Sequence, residues 1–190
     1  MDQKQLLRLT EIICEKSYKE GSFTLASGQK SDYYIDLKAT TLDPEGAFLI
    51  GSLTLDLLKE HKLAVEAVGG LTLGADPIAT SVSLVGFLRK MHLSAFIVRK
   101  EAKSHGTSKY IEGVENLRKN SPLLILEDVV TTGASSVKAI ERLRDEGFHP
   151  VAVVTVVDRQ QNAEAVFSKM GIPLYSLLTI DALKKYLKKN

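Results

Sequence analysis

The chain has 190 residues, 44% of them hydrophobic and 25% charged, and its 25 basic against 23 acidic side chains leave a formal charge of +2. That length allows a single domain with a complete core and calls for no disulfide or metal staple. So small a net charge gives no bulk electrostatic basis for binding nucleic acid or an anionic membrane, and any cationic function has to come from a local cluster.

The opening stretch, residues 2–19, places Leu6, Leu9 and Ile13, with Leu7 and Cys14, at helical spacing. This predicts an amphipathic helix ended by Gly21. Cys14 is the single cysteine, flanked by Ile12 and Ile13, and reads as a small buried hydrophobe. Residues 1–11 are charged and lack the apolar run of a signal peptide, and no stretch approaches the roughly 20 apolar residues of a membrane span. These features suggest a reducing cytoplasm. Residues 23–37 mix Ser27 and Gly28 with the β-favouring Tyr33, Tyr34 and Ile35, which predicts a small hairpin or extended segment.

Asp43-Pro44-Glu45 starts a helix, with a capping acid followed by proline at the first helical position, running to about His61. Residues 65–68 then read as a strand leading into Gly69 and Gly70, and residues 76–90 as a helix. A strand at 93–98 precedes a polar loop at 100–113 that contains Gly106. A buried strand at 123–126 and a helix at 135–146, ended by Gly147, follow. The rest reads as a strand at 151–157, a helix at 163–170, a strand at 174–178 and a helix at 180–187. Strands alternating with helices predict right-handed βαβ units and a parallel sheet covered on both faces. Ligands in such sheets bind beyond the carboxyl ends of the strands. Residues 69–74, 127–135 and the pair Asp158-Arg159 all fall at such ends, and so point to one crevice.

The segment from Leu123 to Ser135 is the most informative. Four apolar residues are followed by Glu127 and Asp128, then the spacers Val129 and Val130, then Thr131-Thr132-Gly133-Ala134-Ser135 opening a helix. Unpaired N–H groups at a helix start, at the positive end of its dipole, suit a phosphate. Gly133 and Ala134 permit close backbone approach, and Thr131, Thr132 and Ser135 add hydroxyl donors. Two carboxylates would repel that phosphate, but could accept hydrogen bonds from the vicinal hydroxyls of a ribose or face a metal ion. The bland alternative is an ordinary turn capped by its threonines and serine. A second feature is the cluster Arg99, Lys100, Lys103, His105 and Lys109, interrupted by the single acid Glu101, beyond a predicted strand.

The string Glu127 to Ser135 resembles the phosphoribosyl pyrophosphate motif of the type I phosphoribosyltransferases. Phe23-Thr24-Leu25-Ala26-Ser27-Gly28, continuing through Ser31-Asp32-Tyr33-Tyr34-Ile35-Asp36, is similar to the N-terminal segment of the orotate phosphoribosyltransferases. Arg99-Lys100-Glu101-Ala102-Lys103-Ser104-His105-Gly106 resembles the mobile catalytic loop of that family, and Asp158-Arg159 its base-recognising turn. The resemblance implies an α/β phosphoribosyltransferase fold: a mostly parallel central sheet flanked by helices, with a small N-terminal hood from about residues 1–42, in one domain over 1–190. It implies transfer of phosphoribose from 5-phosphoribosyl 1-pyrophosphate to orotate, giving orotidine 5′-monophosphate and pyrophosphate in pyrimidine (UMP) biosynthesis.

Lys103 then becomes the catalytic cation together with Asp128. Arg99, Lys100, Lys103 and His105, with Glu127 to Ser135, bind the pyrophosphorylated sugar, and Thr131, Arg159 and Tyr34 meet orotate. Cations of this kind stabilise charge on departing pyrophosphate, and a closing loop shields the oxocarbenium-like sugar. The resemblance also implies Mg²⁺ carried on substrate oxygens, with no direct protein ligand, and a homodimer whose basic loop acts across the interface. Some members have Lys where this chain has Ala26, and a Tyr-Lys pair where it has Thr72-Leu73, so two potential phosphate contacts differ here. Two rival readings are a purine phosphoribosyltransferase and a nucleotide-sensing regulator on the same fold. The second would need an added nucleic-acid-binding segment or a broad basic face, and neither is visible.

Overall fold

The structure is a computed structural model that describes residues 1–24, 30–101 and 110–189. In chain order the elements are α1 (Gln3–Lys16), β1 (Tyr18–Thr24), β2 (Lys30–Ile35), α2 (Lys38–Thr41), α3 (Pro44–Glu60), β3 (Ala67–Leu71), α4 (Ala75–Leu88), β4 (Ser94–Val98) and β5 (Ile111–Glu112). They continue with β6 (Pro122–Val130), α5 (Ala134–Asp145), β7 (His149–Asp158), α6 (Ala163–Lys169), β8 (Leu174–Thr179) and α7 (Ile180–Leu187).

The central sheet has the order β5-β4-β3-β6-β7-β8. All of its pairings are parallel except β4 with β5. From β3 the chain steps outward to β4, then returns to the other side of β3 to lay down β6, β7 and β8. The reversal of winding opens a crevice above the carboxyl ends of β3 and β6, the usual ligand position in open α/β sheets. Two apolar layers cover the faces. Leu124 and Leu126 of β6 pack with Leu53, Ile78 and Val82 of α3 and α4, whereas Leu123 and Ile125 pack with Ala139, Ile140 and Phe167 of α5 and α6. Each of the larger of these side chains, leucine, isoleucine, valine or phenylalanine, contributes roughly 1.5–3 kcal/mol on burial.

The expected cap of α3 is present: the Asp43 carboxylate accepts from the N–H groups of Glu45 and Gly46, each at 3.0 Å, with Pro44 next to it. Elsewhere the structure differs from the sequence reading. The first helix stops at Lys16, and Gly21 lies inside β1, because Tyr18 to Glu20 pair with Tyr33 to Ile35 in an antiparallel hairpin. Stacking of Tyr18 on Tyr33, with centroids 5.6 Å apart, secures that hairpin. The short helix α2, unforeseen in the sequence, follows the hairpin and buries Thr40, whose Oγ1 lies 2.7 Å from Ser17 Oγ. Gly69 and Gly70 belong to β3, which is hydrogen-bonded on both sides. Within the polar stretch 100–113, Ile111 and Glu112 form an edge strand on β4. Strand β6 continues past Leu126 through both acids to Val130, because its pairing with β7 persists to Val130 opposite Asp158.

Candidate active site

Strand alternation separates the two acids at the end of β6. Glu127 turns toward α5 and is buried, and Ser136 Oγ donates to its Oε2 at 2.6 Å. Burial pushes the Glu127 carboxyl up to about 7. The Ser136 hydrogen bond opposes that rise, the neighbouring Asp128 adds to it, and the charge of Lys100 counteracts it. Asp128 turns toward the start of α4. Its carboxylate sits so close over Gly74 that a Cβ there would lie 2.6 Å from Oδ1, so any side chain at that position would push the carboxylate aside. The backbone N–H of Val129 donates to the same Oδ1 at 2.8 Å.

Beyond β6 the chain turns through Thr131 and Thr132 into α5. Gly133 takes φ +84°, a conformation that L side chains rarely adopt, and an added Cβ would meet Phe167 Cζ at 2.7 Å. Glycine is therefore needed here for the turn and for the ring beneath it. No side chain caps α5, so the bland capping role for Thr131, Thr132 and Ser135 is not what the structure contains. Thr132, Ala134 and Ser135 are exposed and Thr131 is half-buried, and the first N–H groups of the helix have no side-chain cap.

The same edge carries the end of β4. Thr72, Asp76, Arg99, Lys100 and Glu112 line a cavity of about 440 Å³ there. The Arg99 guanidinium pairs with Glu112 at 3.1 Å, and Lys100 is exposed. Lys103 and His105, like Lys109 and Ala26, lie outside the described residues. The turn after β3 contains a cis Thr72–Leu73 peptide, and Thr72 Oγ1 donates to Asp76 Oδ2 at 2.5 Å.

At the end of β7, Arg159 is only 9% exposed. Its Nε donates to Tyr33 Oη at 2.9 Å, its Nη2 reaches Ser31 Oγ at 3.4 Å, and its guanidinium lies 4.7 Å from the Tyr33 ring centre. Lys184 of α7 flanks the same ring at 4.7 Å. Of the tyrosine pair, Tyr33 meets Arg159. Tyr34 points to the other side of the hairpin, 43% exposed, with its ring tilted on Phe23 at 5.5 Å. Tyr33, Ser31, Lys184, Ser136 and Gly74 were not singled out as site residues from the sequence, and neither was Lys38. The carboxylate of Asp36, and more weakly that of Asp128, holds the Lys38 amine above its usual range. Tyr33 and Ser31 had a local signal in the hood segment beside Tyr34, and Gly74 had one as the end of the strand-end segment 69–74.

No protein-family model matches the chain. The orotate phosphoribosyltransferase of Nostoc sp. is 46% identical over 178 residues, which cover 94% of this chain and 84% of the relative. The chain belongs to the orotate phosphoribosyltransferase family. A crystal structure of Mycobacterium tuberculosis orotate phosphoribosyltransferase in complex with Fe(III) dicitrate matches with a TM-score of 0.81 at 37% identity, over 94% of this chain and 98% of the other. The same enzyme in complex with 5-phospho-alpha-D-ribosyl 1-diphosphate matches with a TM-score of 0.77 at 33% identity, over 95% and 99% of the two chains. The sheet order and flanking helices are accordingly those of a type I phosphoribosyltransferase. Within this orotate phosphoribosyltransferase fold, Asp128 sits against Gly74, the turn before Gly74 carries Thr72 into the cavity lined by Arg99 and Lys100, and the Arg159 backbone N–H donates to the Val130 carbonyl at 3.0 Å at the end of β6.

Among the described residues no three His, Cys, Asp or Glu side chains converge as a metal cage. The oxygens near the end of β6 are hard donors, the carboxylate of Asp128 and the exposed hydroxyls of Thr132 and Ser135, with the Glu127 carboxyl buried behind them, and hard oxygens suit a hydrated Mg²⁺ carried by phosphates. Among the described residues no helix is long and apolar enough to cross a membrane.

Proposed function

We propose that this chain transfers the phosphoribosyl group of 5-phosphoribosyl 1-pyrophosphate to orotate. The bond from C1′ to the pyrophosphate oxygen breaks, a bond from C1′ to the ring nitrogen of orotate forms, and that nitrogen gives up its proton. The observation that carries this reading is the end of β6: a carboxylate seated on Gly74 and, one turn later, an uncapped helix start. In this reading Asp128, with Glu127 behind it, accepts hydrogen bonds from the ribose hydroxyls. The N–H groups and hydroxyls from Thr131 to Ser135 hold the 5′-phosphate at the positive pole of α5. Arg99 and Lys100 face the pyrophosphate, with Lys103 as the catalytic cation and His105 beside it. Arg159, its Nε fixed by Tyr33, presents its remaining N–H groups to the orotate carboxylate. Thr131 completes the base site, with Tyr33 in place of the expected Tyr34 beside Arg159. Bound Mg²⁺, carried on substrate oxygens, would neutralise pyrophosphate charge, with Glu127 and Asp128 as outer-sphere partners or hydroxyl acceptors and not as a protein cage.

The same reading includes a homodimer in which the basic segment serves the partner's crevice. A groove of about 650 Å³ between α3 and α4, lined by Leu42, Phe48, Leu73, Leu84 and Leu88, supports it. Those five side chains are exposed, and contiguous apolar surface of this kind marks an interaction face. Leu73 belongs to the turn beside Gly74, so the face runs up to the crevice.

Pyrophosphate release should require orotate, with hypoxanthine, xanthine and adenine giving none. Release with a purine and not with orotate overturns the assignment. Lys103→Ala should lower kcat by at least ~10²-fold, as loss of a transition-state donor does. Mixing it with an inactive Asp128 variant should restore part of the activity. No recovery despite proven subunit exchange would place the basic segment in its own subunit's crevice.

A further inference from the structure

We propose that Arg142, two turns into α5 and outside the crevice, is a positioning residue for the Arg99-Lys100 corner. Its guanidinium binds two consecutive backbone carbonyls through separate arms: Nη1 donates to the Arg99 oxygen, and Nη2 to the Lys100 oxygen at 2.9 Å. Its flat face lies 4.0 Å from the ring centre of Tyr110. Tyr110 is in turn tied to the corner, because its carbonyl accepts from the Arg99 N–H at 2.7 Å. One side chain thus gathers the strand end that leaves β4 and the segment that returns toward β5.

Only arginine can do this. Its planar fork presents two donors in fixed directions and a stacking face, whereas lysine offers a compact charge without either. Arg142 also stands on the helix whose first turn is assigned to the sugar phosphate. At 1.5 Å per residue it lies about 12 Å from Ala134 along one rigid rod. The grip therefore sets the distance between the 5′-phosphate site and the cations that face the pyrophosphate. With the carbonyls released, Arg99 and Lys100 would keep their charge and lose their register.

This inference rests on the phosphoribosyl-transfer reading for its substrate, so inorganic pyrophosphate and ribose 5-phosphate are titrated separately by calorimetry, without orotate. Arg142→Ala and Arg142→Lys should each weaken pyrophosphate binding about tenfold and raise KM for 5-phosphoribosyl 1-pyrophosphate by a similar factor. Ribose 5-phosphate binding and KM for orotate should stay within twofold. Tyr110→Leu, which removes only the stacking face, should weaken pyrophosphate about threefold, and it carries the test if the Arg142 variants do not fold. Three results overturn the inference: unchanged pyrophosphate binding in the variants, an equal loss for ribose 5-phosphate, or no pyrophosphate binding by the unsubstituted protein. If the unsubstituted protein binds pyrophosphate but releases none from substrate with orotate, the transfer reading falls and the variants still decide the role of Arg142.

Discussion

The turn after β6 and the corner around Arg159 sit at the ends of neighbouring strands but are assembled in opposite ways. The first is one continuous segment in which strand end, acids, turn and helix start follow each other without a break. The second joins β7, the hairpin and α7, with Arg159 and Tyr33 standing 126 residues apart in sequence. A site built from consecutive residues carries its geometry in local backbone, so its residue types announce it. A site assembled from distant segments depends on packing of the hairpin against the sheet, and nothing beside Arg159 in the sequence names its partner.

Three substitutions can break or sharpen that contrast. The largest effect should come from Gly133→Val, which forces a β-branched side chain to φ +84° and into Phe167. Strain and overpacking together should cost about 3–5 kcal/mol, read from urea unfolding. A variant as stable as its parent would mean that the turn adapts and is not fixed locally.

Next comes Glu127. Its folded pKa of about 7 lies above its ordinary value of 4.5. The protonated form is therefore the one that favours folding, a contribution fully present below about pH 4.5 and lost as pH rises through about 7. Burying the charge costs up to about 3 kcal/mol above that range. Glu127→Gln should gain stability relative to the parent between pH 5 and pH 8 by up to that amount. A gap that does not change with pH would contradict burial as the cause.

The smallest effect belongs to the distant assembly. Tyr33→Phe keeps the ring and removes the acceptor for Arg159 Nε. Loss of a hydrogen bond to a charged group, about 1.5 kcal/mol, should raise KM for orotate roughly tenfold and leave that for 5-phosphoribosyl 1-pyrophosphate unchanged. A parallel rise in both would erase the separation between the two regions.

The same contrast explains what could be read in the sequence. The alternation of elements, the Asp43-Pro44 helix start and the passage from the two acids through a glycine turn into a helix were legible, because capping chemistry, apolar periods and a motif are local. The continuation of β6 through Glu127 and Asp128 was not, because charged residues interrupt the apolar pattern while backbone pairing with β7 carries on. Gly21 looked like a helix end, but the aromatic stack of Tyr18 on Tyr33, a long-range contact, pulls that stretch into a hairpin. The two-residue β5 is too short for any period to reveal. Arg142 carried no signal in the sequence, since its partners are main-chain oxygens whose position no side-chain pattern encodes.

Leu73 has one further consequence. It lies in the turn between Thr72, which lines the cavity beside Arg99, and Gly74, which supports Asp128, yet its own side chain is 64% exposed in the apolar groove. In the proposed homodimer a partner seated on that groove would bear on this turn from outside, so a compound that displaced it would alter turnover without occupying the proposed substrate positions.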